Sequence, residues 1–284
     1  MPNSIAERFD LSGRVAAITG AGGALCGAMA DALGAAGVKV AVIDIDADKA
    51  EARVRAINAA GGSAQAFACD VLDGAALKDC CRAVCDRWGA PDLLINGAGG
   101  NDPRGSTTIE FHPVEDEWPP DERSFFDLEG PDFRRVFDLN FMAAFLTSQV
   151  FGREMVAMGR GAILNMSSMS AYTPLTKVPA YSAAKAALSN FTQWLAVHFA
   201  HTGVRVNALA PGFFMTEQLK FLHIDRETGE LLPRAQKVIA HTPMGRYGQP
   251  DDLIGPMIWL LSDASRFVTG TVVAVDGGFS SYTI

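Results

Sequence analysis

The sequence predicts a single α/β domain built on a doubly wound parallel sheet. Short apolar runs alternate with longer amphipathic ones along the chain, which is the pattern of strand–helix–strand units. A glycine-rich turn follows the first apolar run and opens a helical one. The 284 residues, 49% hydrophobic and 20% charged, supply core for one large domain and argue against disorder.

The elements follow in order. Val15–Ile18 reads as a strand and runs into Thr19-Gly20-Ala21-Gly22-Gly23. Leu25–Ala36 reads as a helix stopped by Gly37. Val38–Ile43 is a strand, Asp46–Ala59 an Ala/Arg/Glu-rich helix, Ala64–Ala68 a strand, Ala75–Trp88 a helix and Leu93–Ile95 a strand. Parallel strands joined this way need right-handed crossovers. In the second half Phe133–Met158 is a long helical run, Gly161–Met166 a strand, Tyr181–Ala200 a helix and Val204–Leu209 a strand. Leu253–Leu261 is helical, and Thr271–Val275 is the last strand. Two stretches break the rhythm, about 101–130, which is Pro-rich and acidic, and about 212–241, which carries the breakers Gly229 and Pro233. Long segments in a compact domain are usually lids or insertions, so both are expected to be insertions in one domain spanning 1–284.

Composition excludes several function classes. With 24 basic and 32 acidic residues the formal net charge is −8, which disfavours nucleic acid and anionic membranes as partners. No apolar run reaches membrane-spanning length, and the polar start MPNSIAERFDLSGR has no signal-peptide core. Five cysteines, Cys26, Cys69, Cys80, Cys81 and Cys85, show neither a disulfide framework nor a metal quartet. A reducing cytoplasm is the expected location, no metal is expected, and the thiols read as small buried side chains. Phe125-Phe126 and Phe213-Phe214 read as hydrophobic anchors before substrate stackers.

Thr19–Gly23 sits where backbone N–H groups can approach a pyrophosphate at a helix N-terminus; a plain tight turn is the alternative. Asp44 ends the second strand, 24 residues after Gly20, where a carboxylate can accept from a ribose with a free 2′-OH and repel a 2′-phosphate. The next residue is Ile45, which offers a phosphate no cation. Asp44 could also merely cap the next helix. Asp70 suits an adenine-side contact or a cap. Asn96-Gly97-Ala98-Gly99 supplies small residues for close approach to a ligand, or for a turn.

Tyr181 and Lys185 share one helix face four residues apart. A nearby ammonium is expected to lower a tyrosine pKa from about 10, fitting the pair for proton exchange with an alcohol or ketone oxygen. Thirteen residues earlier, Ser168 ends a strand, where it can hold the reacting oxygen.

In this order the motifs resemble the short-chain dehydrogenase/reductases from about Leu11 to Phe279. The resemblance rests on Thr19-Gly20, Asn96-Gly97-Ala98-Gly99, Asn140 within Asp138-Leu139-Asn140, Ser168, Tyr181 with Lys185, Pro211-Gly212 through Thr216, and Asp276-Gly277-Gly278. It implies a Rossmann-type sheet, a small-molecule substrate and a homotetramer, and with Asp44 followed by Ile45 the cofactor is expected to be NAD in preference to NADP. It makes Tyr181 the general acid/base, Lys185 its partner and ribose holder, Ser168 the substrate orienter and Asn140 the holder of a relay water. It places Gly20, Gly22, Gly23, Ala24, Leu25, Asp44, Asp70, Val71, Asn96, Ala98, Gly99, Pro211, Gly212, Phe214 and Thr216 with Tyr181 and Lys185 on the cofactor. The family's turn is Thr-Gly-x-x-x-Gly-x-Gly, and here Ala24 and Cys26 stand at its second and third glycines. The family's Asn-Asn-Ala-Gly reads Asn-Gly-Ala-Gly here. Neither change at the turn removes a backbone N–H.

A narrower resemblance, at Ile18–Met29, Asn96–Asn101, His241–Tyr247 and Val275–Tyr282, is to the branch that oxidises D-mannonate or reduces D-fructuronate. Other branches act on gluconate, polyols, steroids or acyl thioesters, and a non-catalytic NAD-binding scaffold is a separate class. A substrate carboxylate would need a local cation, since the chain as a whole is acidic. Arg104 beside Asn101 is the first candidate, with Arg226, Arg234 and His223 in the second segment; Asn101, Arg104 and Ser170 form the expected substrate set.

Overall fold

The computed structural model describes residues 4–114, 121–216, 224 and 228–283. Seven parallel strands form one sheet in the order β3-β2-β1-β4-β5-β6-β7. They are β1 Val15–Thr19, β2 Lys39–Asp44, β3 Ser63–Ala68, β4 Leu93–Asn96, β5 Gly161–Met166, β6 Val204–Pro211 and β7 Val272–Val275. Successive side chains of a strand point to opposite faces, and here both faces are apolar. In β1, Ala16 and Ile18 join one core with Met29, Leu33, Val54 and Met257, while Val15 and Ala17 join the other with Leu77, Val84, Phe151 and Leu195.

The helices are α1 Ile5–Phe9, α2 Ala24–Ala35, α3 Ala47–Ala59, α4 Gly74–Trp88, α5 Gly130–Phe137, α6 Ala143–Met158, α7 Pro179–His198, α8 Pro233–Ala240 and α9 Ile254–Leu261. Side-chain caps set the starts of α3 and α4. Asp46 accepts from the Lys49 N–H, so it precedes α3 rather than opening it. Asp73 accepts from the N–H groups of Ala75 and Ala76 at the start of α4.

Three readings change. The run expected as one helix over Phe133–Met158 contains a π-helical turn, Asp138–Met142, between α5 and α6. The helix expected from Tyr181 starts at Pro179, since proline's missing N–H costs nothing in a first turn. Pro233 likewise opens α8 instead of breaking the second segment. The sheet order reverses between β1 and β4, and the crevice outside strand C-termini at such a switch point is where ligands bind in this architecture.

Among the described residues no helix is long and apolar enough to cross a membrane, and no group of three His, Cys, Asp or Glu could hold a metal. All five cysteines are free thiols.

Candidate active site

The carboxyl ends of β1, β2, β4, β5 and β6 open into one cleft of about 510 Å³. Its first wall is the turn after β1. Gly20 has φ +67°, the left-handed region, and a β-carbon there would sit 3.0 Å from the Ala98 backbone. Thr19 ties the two turns together, its Oγ1 accepting from the N–H groups of Gly97 (3.0 Å) and Ala98 (3.2 Å). No side chain caps the N-terminus of α2. Gly23, Ala24 and Leu25 line the cleft there, so the turn presents an uncapped helix end and its partial positive charge. That arrangement fits a dinucleotide pyrophosphate despite Ala24 standing for a glycine.

Asp44 lines the same cleft at the end of β2. Its carboxylate accepts from the N–H groups of Gly22 (2.9 Å) and Asp46 (3.0 Å), which fixes it at the rim. Asp70 and Val71 line the cleft beyond it. Lys49, which sequence reasoning passed over, lines this wall as well, its Nζ 2.8 Å from Asp46. It comes from the first turn of α3, and its spacing after Asp44 was a signal in principle.

The chemical end gathers around β5 and α7. Ser168 and Tyr181 face the cleft together, the Ser168 hydroxyl near enough to the Tyr181 phenol to favour its ionised form. Lys185 is buried; its Nζ donates to the Met166 carbonyl (2.7 Å) and lies 5.6 Å from the Tyr181 ring centre. Asn140, in the π turn, is buried as well. Its Nδ2 donates to the carbonyls of Gly100 (2.6 Å) and Val136 (2.8 Å), and its Oδ1 accepts from the Gly100 N–H (3.1 Å). A π turn is a common device at functional sites. Here it turns Asn140 toward the Gly97–Gly100 turn. A β-carbon on Gly99 would meet Asn140 Oδ1 at 2.8 Å and Lys185 Nζ at 3.3 Å, so Gly99 leaves room for both groups. Pro211, Gly212 and Thr216 close the cleft after β6.

The pKa pattern differs from expectation. Burial pushes Tyr181 above 10, and the nearby Ser168 hydroxyl only partly offsets it. Burial also pulls Lys185 down from 10.5 to about 8. In the protein alone the two groups share a desolvation cost that outweighs the expected depression of the tyrosine. The linkage has a definite sign. Below pH 8 the ammonium exists in both folded and unfolded chains. Between about 8 and 10.5 the unfolded chain holds a proton that the folded protein has released, so this group makes stability rise with pH. Above pH 10 Tyr181 acts oppositely, because the unfolded chain ionises first. Urea midpoints measured from pH 7 to 10 in the ligand-free protein are expected to include a rise above pH 8 that Lys185→Met removes. An unchanged profile in that variant would refute it.

Several expected contacts lie elsewhere. Gly22 spends its N–H on Asp44, off the cleft surface. The Asn96 amide is buried and donates to Ser148 Oγ (2.9 Å) and Asn165 Oδ1 (2.7 Å), so its role is to join β4, β5 and α6. Phe214 is buried in the core against Gly248 and lines a separate pocket. Asn101 donates to Ser106 Oγ, and Ser170 is buried with an unpaired hydroxyl; neither lines the cleft. Arg104 grips Asp102 through two hydrogen bonds (3.1 and 2.6 Å) and has Asp132 at 3.8 Å, so its guanidinium is already engaged. Arg234 is exposed on α8. His223 and Arg226 lie outside the described residues. The two long segments touch through Lys237 and Glu110, 3.7 Å apart.

A family model described as enoyl-(acyl carrier protein) reductase matches residues 20–280. An uncharacterised oxidoreductase of Bacillus subtilis, UxuB, is 51% identical over 275 residues, covering 96% of this chain and 97% of its own. A Haemophilus influenzae protein provisionally named a D-mannonate oxidoreductase, solved with bound NAD, is 43% identical with a TM-score of 0.93, covering 99% of each chain. An Agrobacterium tumefaciens protein provisionally named a 2-deoxy-D-gluconate 3-dehydrogenase, solved with bound NADP, is 32% identical with a TM-score of 0.79, covering 97% of this chain and 99% of that one.

Proposed function

Because the chain belongs to the short-chain dehydrogenase/reductase family and is an oxidoreductase acting on CH–OH groups, we propose that it uses NAD to oxidise a sugar-acid hydroxyl, with D-mannonate and D-fructuronate as the pair. The observation that carries the chemistry is the juxtaposition of Ser168, Tyr181 and buried Lys185 at the deep end of a cleft whose rim holds Asp44. Similarity to the Haemophilus protein supports the substrate.

Bound NAD supplies the hydride acceptor. The rest belongs to this chain. Ser168 Oγ hydrogen-bonds the substrate oxygen and positions it on Tyr181 Oη, which takes the hydroxyl proton in oxidation and returns it in reduction. The ammonium of Lys185 favours the phenolate once the site is assembled, and Asn140 holds the Gly97–Gly100 turn beside it. Asp44 supports NAD through the ribose hydroxyls and repels a 2′-phosphate, while Lys49 is partly neutralised by Asp46. A cytoplasmic location and a homotetramer complete the reading. Trp194 and Val197, 57% and 78% exposed on α7, are apolar surface that subunit contacts would cover.

The test compares D-mannonate with D-mannitol, each with NAD⁺ and NADP⁺, by NADH or NADPH absorbance. A clear preference for the acid and for NAD⁺ is expected. Arg104→Met is expected to leave KM for mannonate nearly unchanged, because Asp102 and Asp132 already hold that guanidinium. Equal turnover of acid and polyol would remove the sugar-acid assignment, and a higher kcat/KM with NADP⁺ would overturn the cofactor preference.

A further inference from the structure

Two departures from the family pattern, Cys26 for a glycine and Gly97 for an asparagine, meet in space although 71 positions separate them. A β-carbon added to Gly97 would overlap the Cys26 sulfur outright and come within 3.3 Å of its Cβ. The thiol therefore occupies the volume a side chain at 97 would need. Cys26 lies in the first turn of α2, 6% exposed, and its inner side forms part of the cleft wall.

The turn it presses on has little freedom. On one side Thr19 Oγ1 holds the N–H groups of Gly97 and Ala98. On the other, Gly99 abuts Asn140 and Lys185, and Gly100 exchanges two hydrogen bonds with the Asn140 amide. Interiors are close-packed, so an atom added or removed beneath the turn is transmitted to what rests on it. We infer that Cys26 is a positioning residue of this active site, matched in size to Gly97, whose sulfur sets the height of the Gly97–Gly100 turn and through it the placement of Asn140 and Lys185. The thiol is not a nucleophile here: burial pushes it up to about 12, leaving it protonated at neutral pH.

This inference rests on reading the cleft as the dehydrogenase site, and the experiment separates the two. Four proteins form a cycle: unmodified, Cys26→Gly, Gly97→Ala and the double variant, with Cys26→Ser as the size-conserving control. Cys26→Gly is expected to lower kcat about tenfold, part of the ~10²-fold that a 1 Å misplacement can cost, with a smaller change in KM for NAD⁺. Cys26→Ser retains most of kcat. Gly97→Ala is the most damaged single variant, and adding Cys26→Gly recovers at least about threefold of its loss, as coupled contact pairs do. Recovery is incomplete because the same β-carbon meets the Thr19 carbonyl at 2.8 Å.

Thermal midpoints and NADH-fluorescence titrations accompany the kinetics. Unchanged kcat in Cys26→Gly, or an equal cost of Gly97→Ala in both backgrounds, overturns the inference. Should Gly97→Ala not fold, the contrast between Cys26→Gly and Cys26→Ser in kcat decides alone. Should the unmodified protein fail to bind NADH, the cofactor reading fails, while non-additive thermal midpoints still show whether the two residues are matched.

Discussion

Tyr181→Phe lowers kcat by about 10²–10⁴-fold, the usual worth of a positioned proton donor and acceptor, while NADH binds nearly as tightly as before. The substitution keeps the ring that packs beneath Lys185 and removes only the hydroxyl that Ser168 engages. Binding survives because the phosphate turn, Asp44 and the wall at Asp70 and Val71 are all remote from that oxygen. The checks are steady-state kinetics and a fluorescence titration with NADH on the same preparation. A Phe variant turning over at the unmodified rate would remove Tyr181 from the chemistry, and a variant that no longer binds NADH would make the loss uninformative about proton transfer.

Gly99→Ala lowers kcat by about 10²-fold, the scale of a 1 Å displacement of catalytic groups. The new methyl has two neighbours to push, Asn140 Oδ1 at 2.8 Å and Lys185 Nζ at 3.3 Å, and both are buried and hydrogen-bonded. The control is next door. A β-carbon on Gly100 meets nothing within 4 Å, and alanine there keeps the backbone N–H and carbonyl that hold Asn140. Gly100→Ala is therefore expected to keep most of the activity. Equal losses at both positions would show that the turn tolerates no side chain for some reason other than the approach of Asn140 and Lys185.

Much of this was legible in the residues, for physical reasons. The strand Gly161–Met166 is read at its observed limits because an apolar run with glycine at one end and Ser167-Ser168 at the other has few alternatives. Tyr181 and Lys185 share a face because helix geometry imposes it. What escaped depended on the third dimension or on local chemistry that overrides pattern. Asn140 stands in a π turn that the apolar periodicity of α5 and α6 conceals. Arg104 looked available, yet Asp102 two residues away captures it more readily than a distant ligand could. Phe214 followed the family's loop into the expected cofactor set, but its ring is core for Gly248 to pack on. Lys49 enters the cleft only because α3 starts where Asp46 caps it. The tyrosine's raised pKa could not come from spacing at all, since burial sets its direction.

The Asn96 amide has a further consequence for how the sheet finds its alignment. Asn96 stands directly opposite Asn165 in the β4–β5 ladder, and Asn165 in turn donates to Thr192 Oγ1 on α7 (2.8 Å). Apolar neighbours such as Leu94, Ile95, Ile163 and Leu164 are nearly interchangeable and would tolerate strands shifted along one another. The two amides would not. A slip of β4 by one residue turns Asn96 to the other face of the sheet and breaks its bonds to Asn165 and Ser148, leaving its amide, the Asn165 oxygen and the Ser148 hydroxyl without those partners. The asparagine pair thus acts as a key that admits one pairing of the central strands. That pairing also brings Gly99 and Ser168, carried on the turns just past those strands, to the same depth in the cleft.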